Sequence, residues 1–295
     1  CQQYINDAKA TLTDADIPVW HHKLLFAWYA RASVFWPARE RITPAAPVAA
    51  HPDLWAETQL AEGCGPELAT ALKSAVAYQE LLFPGGSMDR VLPMYEVAVV
   101  AAFYNSCVVA AVEAFISLLP AGDKIVTCEV GAGTGGTASS VLPALQGFAE
   151  KYIFTDVSDA FLRQARVRFP QYTFIEYALL NIDAAPALQG FALHQLDLII
   201  STNCLHATPF MRNTLRNCQL LLKEGGLLAV NEGLNTPALV QITFGMTDGW
   251  WFFMESRDPE RTGQGSPLLT WRQWEGLLSD SGFGESHCMR GAPLF

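Results

Sequence analysis

Lys124-Ile125-Val126-Thr127-Cys128-Glu129-Val130-Gly131-Ala132-Gly133-Thr134-Gly135-Gly136 is the stretch on which the fold turns. A β-rich run enters a cluster of glycines, and beyond it Ala138, Val141, Leu142 and Leu145 recur at the spacing of a helix face. Strand, glycine turn and helix form half of a βαβ unit, because glycine lets the backbone turn sharply and admits a ligand where a Cβ would stand. The spacing of Gly131, Gly133 and Gly136 satisfies G-x-G-x-x-G, and alone it does not separate a nicotinamide site from another nucleoside site.

Downstream, the same grammar repeats. Tyr152 to Val157 reads as the next strand, with Ser158 as N-cap of a helix through Phe169 that Pro170 stops. Tyr172 to Ala178 and Leu196 to Ser201 are further strands. Thr208-Pro209 should cap and start a helix that ends at Lys223-Glu224-Gly225-Gly226, with Leu227 to Asn231 as a fifth strand. Strands separated by helices predict right-handed crossovers and a doubly wound parallel sheet over residues 121–295. The polar segment Ser256 to Pro267 is expected to be a mobile loop, and Thr270 to cap a last helix to about Ser281.

Upstream, residues 1–120 show no strand pattern. Helical periodicity runs through Trp20 to Val34, Glu67 to Leu82 and Met94 to Leu119. Thr43 to Pro52 reads as a linker or long surface loop, and Phe83-Pro84-Gly85-Gly86-Ser87 breaks the helical pattern. The most apolar stretch, Val97 to Val112, is interrupted by Asn105 and is expected to be a core helix too short to span a bilayer.

Composition narrows the classes. The 295 residues are 51% hydrophobic, enough for a chain of this size to bury roughly three-quarters of its unfolded surface without disulfides or metals. A net charge of −10 argues against nucleic acid as a partner, since no excess of basic groups is there to release counterions. The seven cysteines are odd in number, scattered and free of C-x-x-C pairs, so a reducing cytoplasmic setting without a disulfide framework or metal site is expected. No secretion signal or membrane partner is expected, and a start at Cys1 suits a segment cut from a longer polypeptide.

The candidate site assembles at strand ends. Asp156 is placed to accept hydrogen bonds from ribose hydroxyls. Glu129, two residues before the first glycine, brings a negative charge suited to the cationic amino group of a methionine moiety, and Asn181-Ile182-Asp183 falls where an adenine amino group could be read. This combination resembles the class I S-adenosylmethionine-dependent methyltransferases, with their Rossmann-like α/β core. The motifs LLFPGGS at 81–87, Phe103-Tyr104-Asn105, EVGAGTGGT at 129–137, FTDVS at 154–158, NCLHAT at 203–208, LLKEGGLLAVNEG at 221–233 and FGMTDGWW at 244–251 narrow this further. In order, they resemble the C-methyltransferase domains of modular polyketide synthases.

The resemblance implies methyl transfer from S-adenosylmethionine, leaving S-adenosylhomocysteine, to the α-carbon of a β-ketoacyl thioester on the phosphopantetheine arm of an acyl carrier protein. It implies an N-terminal helical lid and neighbouring synthase domains. It places the cofactor against Glu129, Gly131, Gly133, Gly135, Asp156, Asn181, Ile182 and Asn203. It carries the family's base and orienting pair onto His206 and Glu232, a role that suits imidazole because its ordinary pKa is about 6.5. Phe83, Tyr104, Asn105, Trp250 and Trp251 become contacts for the acyl chain, Tyr104 and Asn105 polarising the substrate carbonyl, although packing explains the tryptophans, Tyr104 and Asn105 nearly as well. Asn181 departs from the family's aspartate. Arg212 and Arg216, one helical turn apart, either receive an acidic carrier or form a solvated face. O-methylation of a carrier-bound chain, or a non-catalytic structural remnant, are the competing functions. The family's sheet has seven strands, and residues 285–295 leave room for one more strand and the start of another.

Overall fold

In the computed structural model, residues 1–32 and 51–289 are described. Five strands form one parallel sheet: β1 (Ile125–Val130), β2 (Ala149–Asp156), β3 (Ile175–Leu179), β4 (Leu196–Thr202) and β5 (Leu222–Asn231), in the order β3-β2-β1-β4-β5. The order reverses direction between β1 and β4, and in such sheets ligands collect at the carboxyl ends on either side of that switch.

Why these runs become strands is visible in their burial. Leu196, Leu198, Ile199 and Ile200 on β4 are all buried, the mark of a strand covered on both faces. Leu198 and Ile200 pack with Val112, Val141, Leu142, Leu145 and Leu162, contributed by the helices Val99–Ser117, Gly136–Leu145 and Asp159–Arg168. Leu196 and Ile199 pack on the other face with Met211, Leu215 and Cys218 of the helix Met211–Leu221, and with Trp274 and Leu277 of the helix Trp271–Asp280. The four residues expected to form the core face after the glycine turn, Ala138, Val141, Leu142 and Leu145, are fully buried.

The chain divides into two compact units. One comprises residues 1–102, 236–252 and 263–267; the other comprises 103–235, 253–262 and 268–295 and holds the whole sheet. The division therefore differs from a single cut at residue 120: residues 103–120 go with the sheet, and a later segment returns to the N-terminal unit. Among its described residues that unit is helical, with Gln2–Thr11, Trp20–Ala32 and Trp55–Cys64 as the longest helices. The Tyr29 hydroxyl donates to the Gln241 carbonyl at 3.0 Å, which ties in the returning segment.

Several expectations need correction. Glu67 to Leu82 is not one helix but two short ones, Leu68–Leu72 and Tyr78–Leu82, parted where Ser74 takes φ +59. The apolar helix runs 19 residues from Val99 to Ser117, long and apolar enough by length and composition to cross a membrane, although Asn105, Val108, Val112 and Ile116 are buried within the protein. Leu222 pairs with Leu196 and Leu227 with Leu198, so strand β5 begins earlier than expected and loops out through Lys223 to Gly226, with Gly225 at φ +77. The helix expected from Thr208-Pro209 starts at Met211, because the Thr208 hydroxyl is turned back to the Leu205 carbonyl. Ser158 sits at its N-cap without a side-chain hydrogen bond, whereas Thr270 forms a full capping box with Gln273. Among the described residues the sheet has five strands, and residues 284–289 form none. The linker expected over Thr43 to Pro52 lies almost wholly outside the described residues, as do Val34 and residues 290–295.

Candidate active site

The sheet unit gathers the predicted residues at the carboxyl ends of its strands. After β1, Gly131, Gly133 and Gly135 adopt φ +65, +51 and +76, all left-handed. Two of these positions also forbid a side chain for want of room. A Cβ on Gly131 would overlap the Cys204 thiol, and one on Gly135 would come to 2.8 Å from the Phe169 ring. The turn is fastened by Asp156, whose Oδ2 accepts the Gly133 N–H at 3.0 Å while Oδ1 accepts the Ser158 N–H at 2.9 Å. Burial pushes the Asp156 carboxyl up and these backbone donors oppose the rise.

Beneath the turn, Glu129 is 1% exposed and accepts the Tyr152 hydroxyl at 2.6 Å. Burial pushes its carboxyl up to about 8, the Tyr152 hydrogen bond opposes this, and the nearby Asp156 adds to it. A carboxyl so raised favours its neutral form, and a positive charge placed beside it would favour the carboxylate. The Cys204 thiol is likewise pushed up, first by burial and then by Glu232, which keeps it protonated and a packing group rather than a nucleophile.

Farther along the edge, Asn181 folds onto its own chain. Its Oδ1 accepts the Asp183 N–H at 3.1 Å, and Gln189 brackets its backbone with two hydrogen bonds. Ile182 is buried in the core, and Asp183 accepts the Phe210 N–H at 3.1 Å. Asn203 takes φ +48 and joins β4 to β5, its N–H donating to Asn231 and its Oδ1 accepting from Gly233.

The third group stands after β4. His206 Nδ1 meets Glu232 Oε2 at 2.6 Å, with 11% of the His206 side chain and 3% of the Glu232 side chain exposed. Glu232 Oε1 is also a backbone anchor, accepting the N–H groups of Cys204 at 2.9 Å, Leu205 at 2.7 Å and His206 at 3.4 Å. In a neutral imidazole, a carboxylate so placed favours the tautomer that carries its proton on Nδ1.

A buried arginine in the same unit completes this turn, and sequence reasoning missed it. Arg261, fully buried, donates through Nε to Asp258 Oδ2 at 2.6 Å, through Nη1 to the His206 carbonyl at 2.7 Å, and through Nη2 to the carbonyls of Thr208 at 2.7 Å and Pro209 at 3.0 Å. The expectation of a mobile loop over Ser256 to Pro267 is thus corrected at Asp258 and Arg261. A segment rich in charged residues and proline looks solvated unless one knows that two opposite charges within it are paired and covered. Arg212 in turn pairs with Glu260 and Asp280, which favours the solvated face over a bare basic patch.

The five residues expected to touch an acyl chain divide between the units. In the sheet unit, Asn105 is buried and its Oδ1 accepts the Thr137 hydroxyl at 3.0 Å, while Tyr104 is exposed. In the helical unit, Phe83 packs on the cluster of Leu60, Cys64, Leu82 and Val91. Trp250 and Trp251 are buried there, the Trp251 indole donating to the Gly245 carbonyl at 2.8 Å.

Comparison with known proteins gives the family. A methyltransferase-domain model matches residues 128–228. The crystal structure of the CurJ carbon methyltransferase superposes with a TM-score of 0.83 at 31% identity, over 90% of this chain and 74% of that one. The chain belongs to the carbon methyltransferases of polyketide synthases. Polyketide synthase ThaG of Burkholderia thailandensis is 38% identical to this carbon methyltransferase over 210 residues, 70% of the chain but 4% of ThaG. The chain thus spans a tenth or less of the curated relatives it matches first. The trans-methyltransferase CalH, solved in complex with SAH, shares the fold with a TM-score of 0.74 at 22% identity, over 95% of this chain and 80% of that one.

Proposed function

We propose that this domain methylates the α-carbon of a β-ketoacyl chain held as a thioester on the phosphopantetheine arm of an acyl carrier protein, within a larger synthase. The observation that carries the reading is the 2.6 Å contact of His206 Nδ1 with the buried Glu232, at the carboxyl end of the sheet beside the glycine turn.

The residues present fit S-adenosylmethionine. The left-handed glycines Gly131, Gly133 and Gly135 give a ligand three positions of bare backbone to approach. Asp156 keeps carboxylate lone pairs for ribose hydroxyls, the Asn181 amide stands at the end of β3 for an adenine, and Asn203 lines the opposite turn. Glu129 is the group a methionine ammonium would meet, and that positive charge would favour the carboxylate, releasing the Glu129 proton to solvent. S-adenosylmethionine, when bound there, supplies an electrophilic methyl on a sulfonium; the CalH complex supports that donor. S-adenosylhomocysteine is then the product.

The chain's own part is proton management. The α-carbon between a ketone and a thioester is acidic enough for a positioned imidazole, and His206 Nε2 takes that proton. Glu232 keeps Nδ1 protonated and stabilises the imidazolium that forms, without itself taking the proton. Of the residues expected to touch the acyl chain, Tyr104 of the sheet unit is exposed and belongs to the same proposal.

Incubation with S-adenosylmethionine and a β-ketoacyl carrier protein, followed by mass measurement of the acyl group, should show an added methyl, and NMR should place it on carbon. No gain in mass by a chain that binds the cofactor would overturn the proposal.

A further inference from the structure

Within the sheet unit, the turn from Cys204 to Pro209 has its backbone donors and acceptors gathered on two opposite charges. Its N–H groups at 204, 205 and 206 converge on one carboxylate oxygen of Glu232. Its carbonyls at 206, 208 and 209 converge on the guanidinium of Arg261. Buried backbone groups need partners, and the single 3-10 turn Leu205–Ala207 supplies only two bonds of its own, Ala207 N–H to the Cys204 carbonyl and Thr208 N–H to the Leu205 carbonyl, leaving these six groups to the two charges. A planar fork with five donors satisfies three carbonyls and one carboxylate together, which the compact ammonium of a lysine does not match in geometry.

The fork is itself held. Asp258 Oδ2 takes its Nε, the guanidinium lies over the Phe253 ring at 5.3 Å, and the Ser256 hydroxyl donates to the Pro209 carbonyl at 2.7 Å. Arg261 and Asp258 are 0% and 1% exposed, so the pair carries the cost of burying charge and offers no contact to solvent. Its hydrogen bonds go to the backbone on either side of His206.

We infer that Arg261, locked by Asp258, is a positioning residue for His206: by gripping the carbonyls of residues 206, 208 and 209 it sets the imidazole at the distance where Glu232 can engage Nδ1. The inference rests on His206 being the base, and it predicts that the His206–Glu232 hydrogen bond depends on a group that touches neither side chain's reacting atoms.

The test uses Arg261→Ala, Arg261→Lys and Asp258→Asn, with two readouts. The first is the Nδ1 proton resonance of His206 in chain labelled with 15N-histidine, assigned by its loss in His206→Ala. The second is methyl transfer, resolved into kcat and KM for the carrier-bound substrate. Arg261→Ala should bind S-adenosylhomocysteine within a fewfold of the parent, lose the resonance, and lose kcat by tenfold or more at little-changed KM. Guanidinium ion at tens of millimolar should restore both readouts. Should Arg261→Ala fail to bind S-adenosylhomocysteine, Asp258→Asn and Arg261→Lys carry the same expectation in weaker form, a shifted resonance with a partial loss of kcat. Retention of the parental resonance and kcat in any of these folded variants overturns the inference, as does guanidinium that raises the melting temperature without returning the resonance. If the parent chain fails to methylate, the proposed function fails, while the resonance still decides the positioning role.

Discussion

Two turns lie side by side in the sheet unit and are built by opposite means. The turn after β1 is shaped by three residues that lack side chains, Gly131, Gly133 and Gly135, in left-handed conformations, and by a single carboxylate, Asp156, holding one of its N–H groups. The turn after β4 contains no glycine between Asn203 and Pro209, and takes its shape from Glu232 and Arg261, 26 and 55 residues beyond His206. One turn is specified where it stands and stays open to a ligand; the other is specified from a distance and holds a side chain still. Under the proposed function, the first turn is the wall that binds and the second the wall that reacts.

The largest test of that contrast removes the reacting side chain. His206→Ala should cost about 10²–10⁴ in kcat, the usual worth of a positioned base, with affinity for S-adenosylhomocysteine unchanged by calorimetry. Activity that survived would move the base elsewhere and leave the second turn structural.

The next effect concerns the floor of the first turn. With its carboxyl pushed up to about 8 from an ordinary 4.5, Glu129 keeps a proton in the folded chain that the unfolded chain has released. Its contribution to stability is therefore complete below about pH 4.5, declines as pH rises, and is gone above about 8. The slope is up to about 1.4 kcal/mol per pH unit, and Glu129→Gln should remove it in denaturant titrations across that window. Cofactor binding near pH 7 should release a proton, seen as a dependence of the calorimetric heat on the buffer's ionisation enthalpy, and the same variant should abolish the release.

A smaller effect probes where the two turns touch. Gly131→Ala should destabilise by about 1–2 kcal/mol from its left-handed backbone alone, and by more because its Cβ would overlap the Cys204 thiol. Adding Cys204→Ala should recover only the part due to the sulfur, since the Cβ of residue 204 stays 2.7 Å from the new methyl and the backbone cost remains, as read from unfolding midpoints. The smallest contrast compares two helix starts that look alike in sequence. Thr270→Ala should cost about 1 kcal/mol as a true cap, whereas Ser158→Ala should stay within about 0.5 kcal/mol, since the Ser158 hydroxyl makes no cap bond.

What could be read in advance follows the same division. The five strands and the core helix after the glycine turn announce themselves because alternation of buried strands and helices is a local pattern, and Ala138, Val141, Leu142 and Leu145 repeat it within one helix. Glu129, Asp156, His206 and Glu232 were legible as strand-end residues beside motifs. Arg261 was not. Nothing in Asp258-Pro259-Glu260-Arg261 distinguishes a buried pair from a solvated one, because the decision is made by carbonyls brought near through the fold. The loop within β5 was misread as a helix end for a related reason: Lys223-Glu224-Gly225-Gly226 carries helix-stop chemistry, and only the pairing of Leu222 with Leu196 places it inside a strand. Helix boundaries in the N-terminal unit were blurred because an apolar, alanine-rich run such as Glu67 to Leu82 carries no residue that announces the break at Ser74.

Glu232 serves two clients with its two oxygens, one turned to three backbone N–H groups and the other to the imidazole. Reach, as much as charge, defines the position. An aspartate would bring the same charge on an arm one methylene shorter and would have to abandon either the turn or the histidine. A glutamine would keep the arm and the acceptor but offer an amide where the imidazolium needs an anion. Among the common side chains only glutamate combines that span with that charge, so the geometry of the turn and the hold on the His206 ring are joined in one residue and cannot be altered independently.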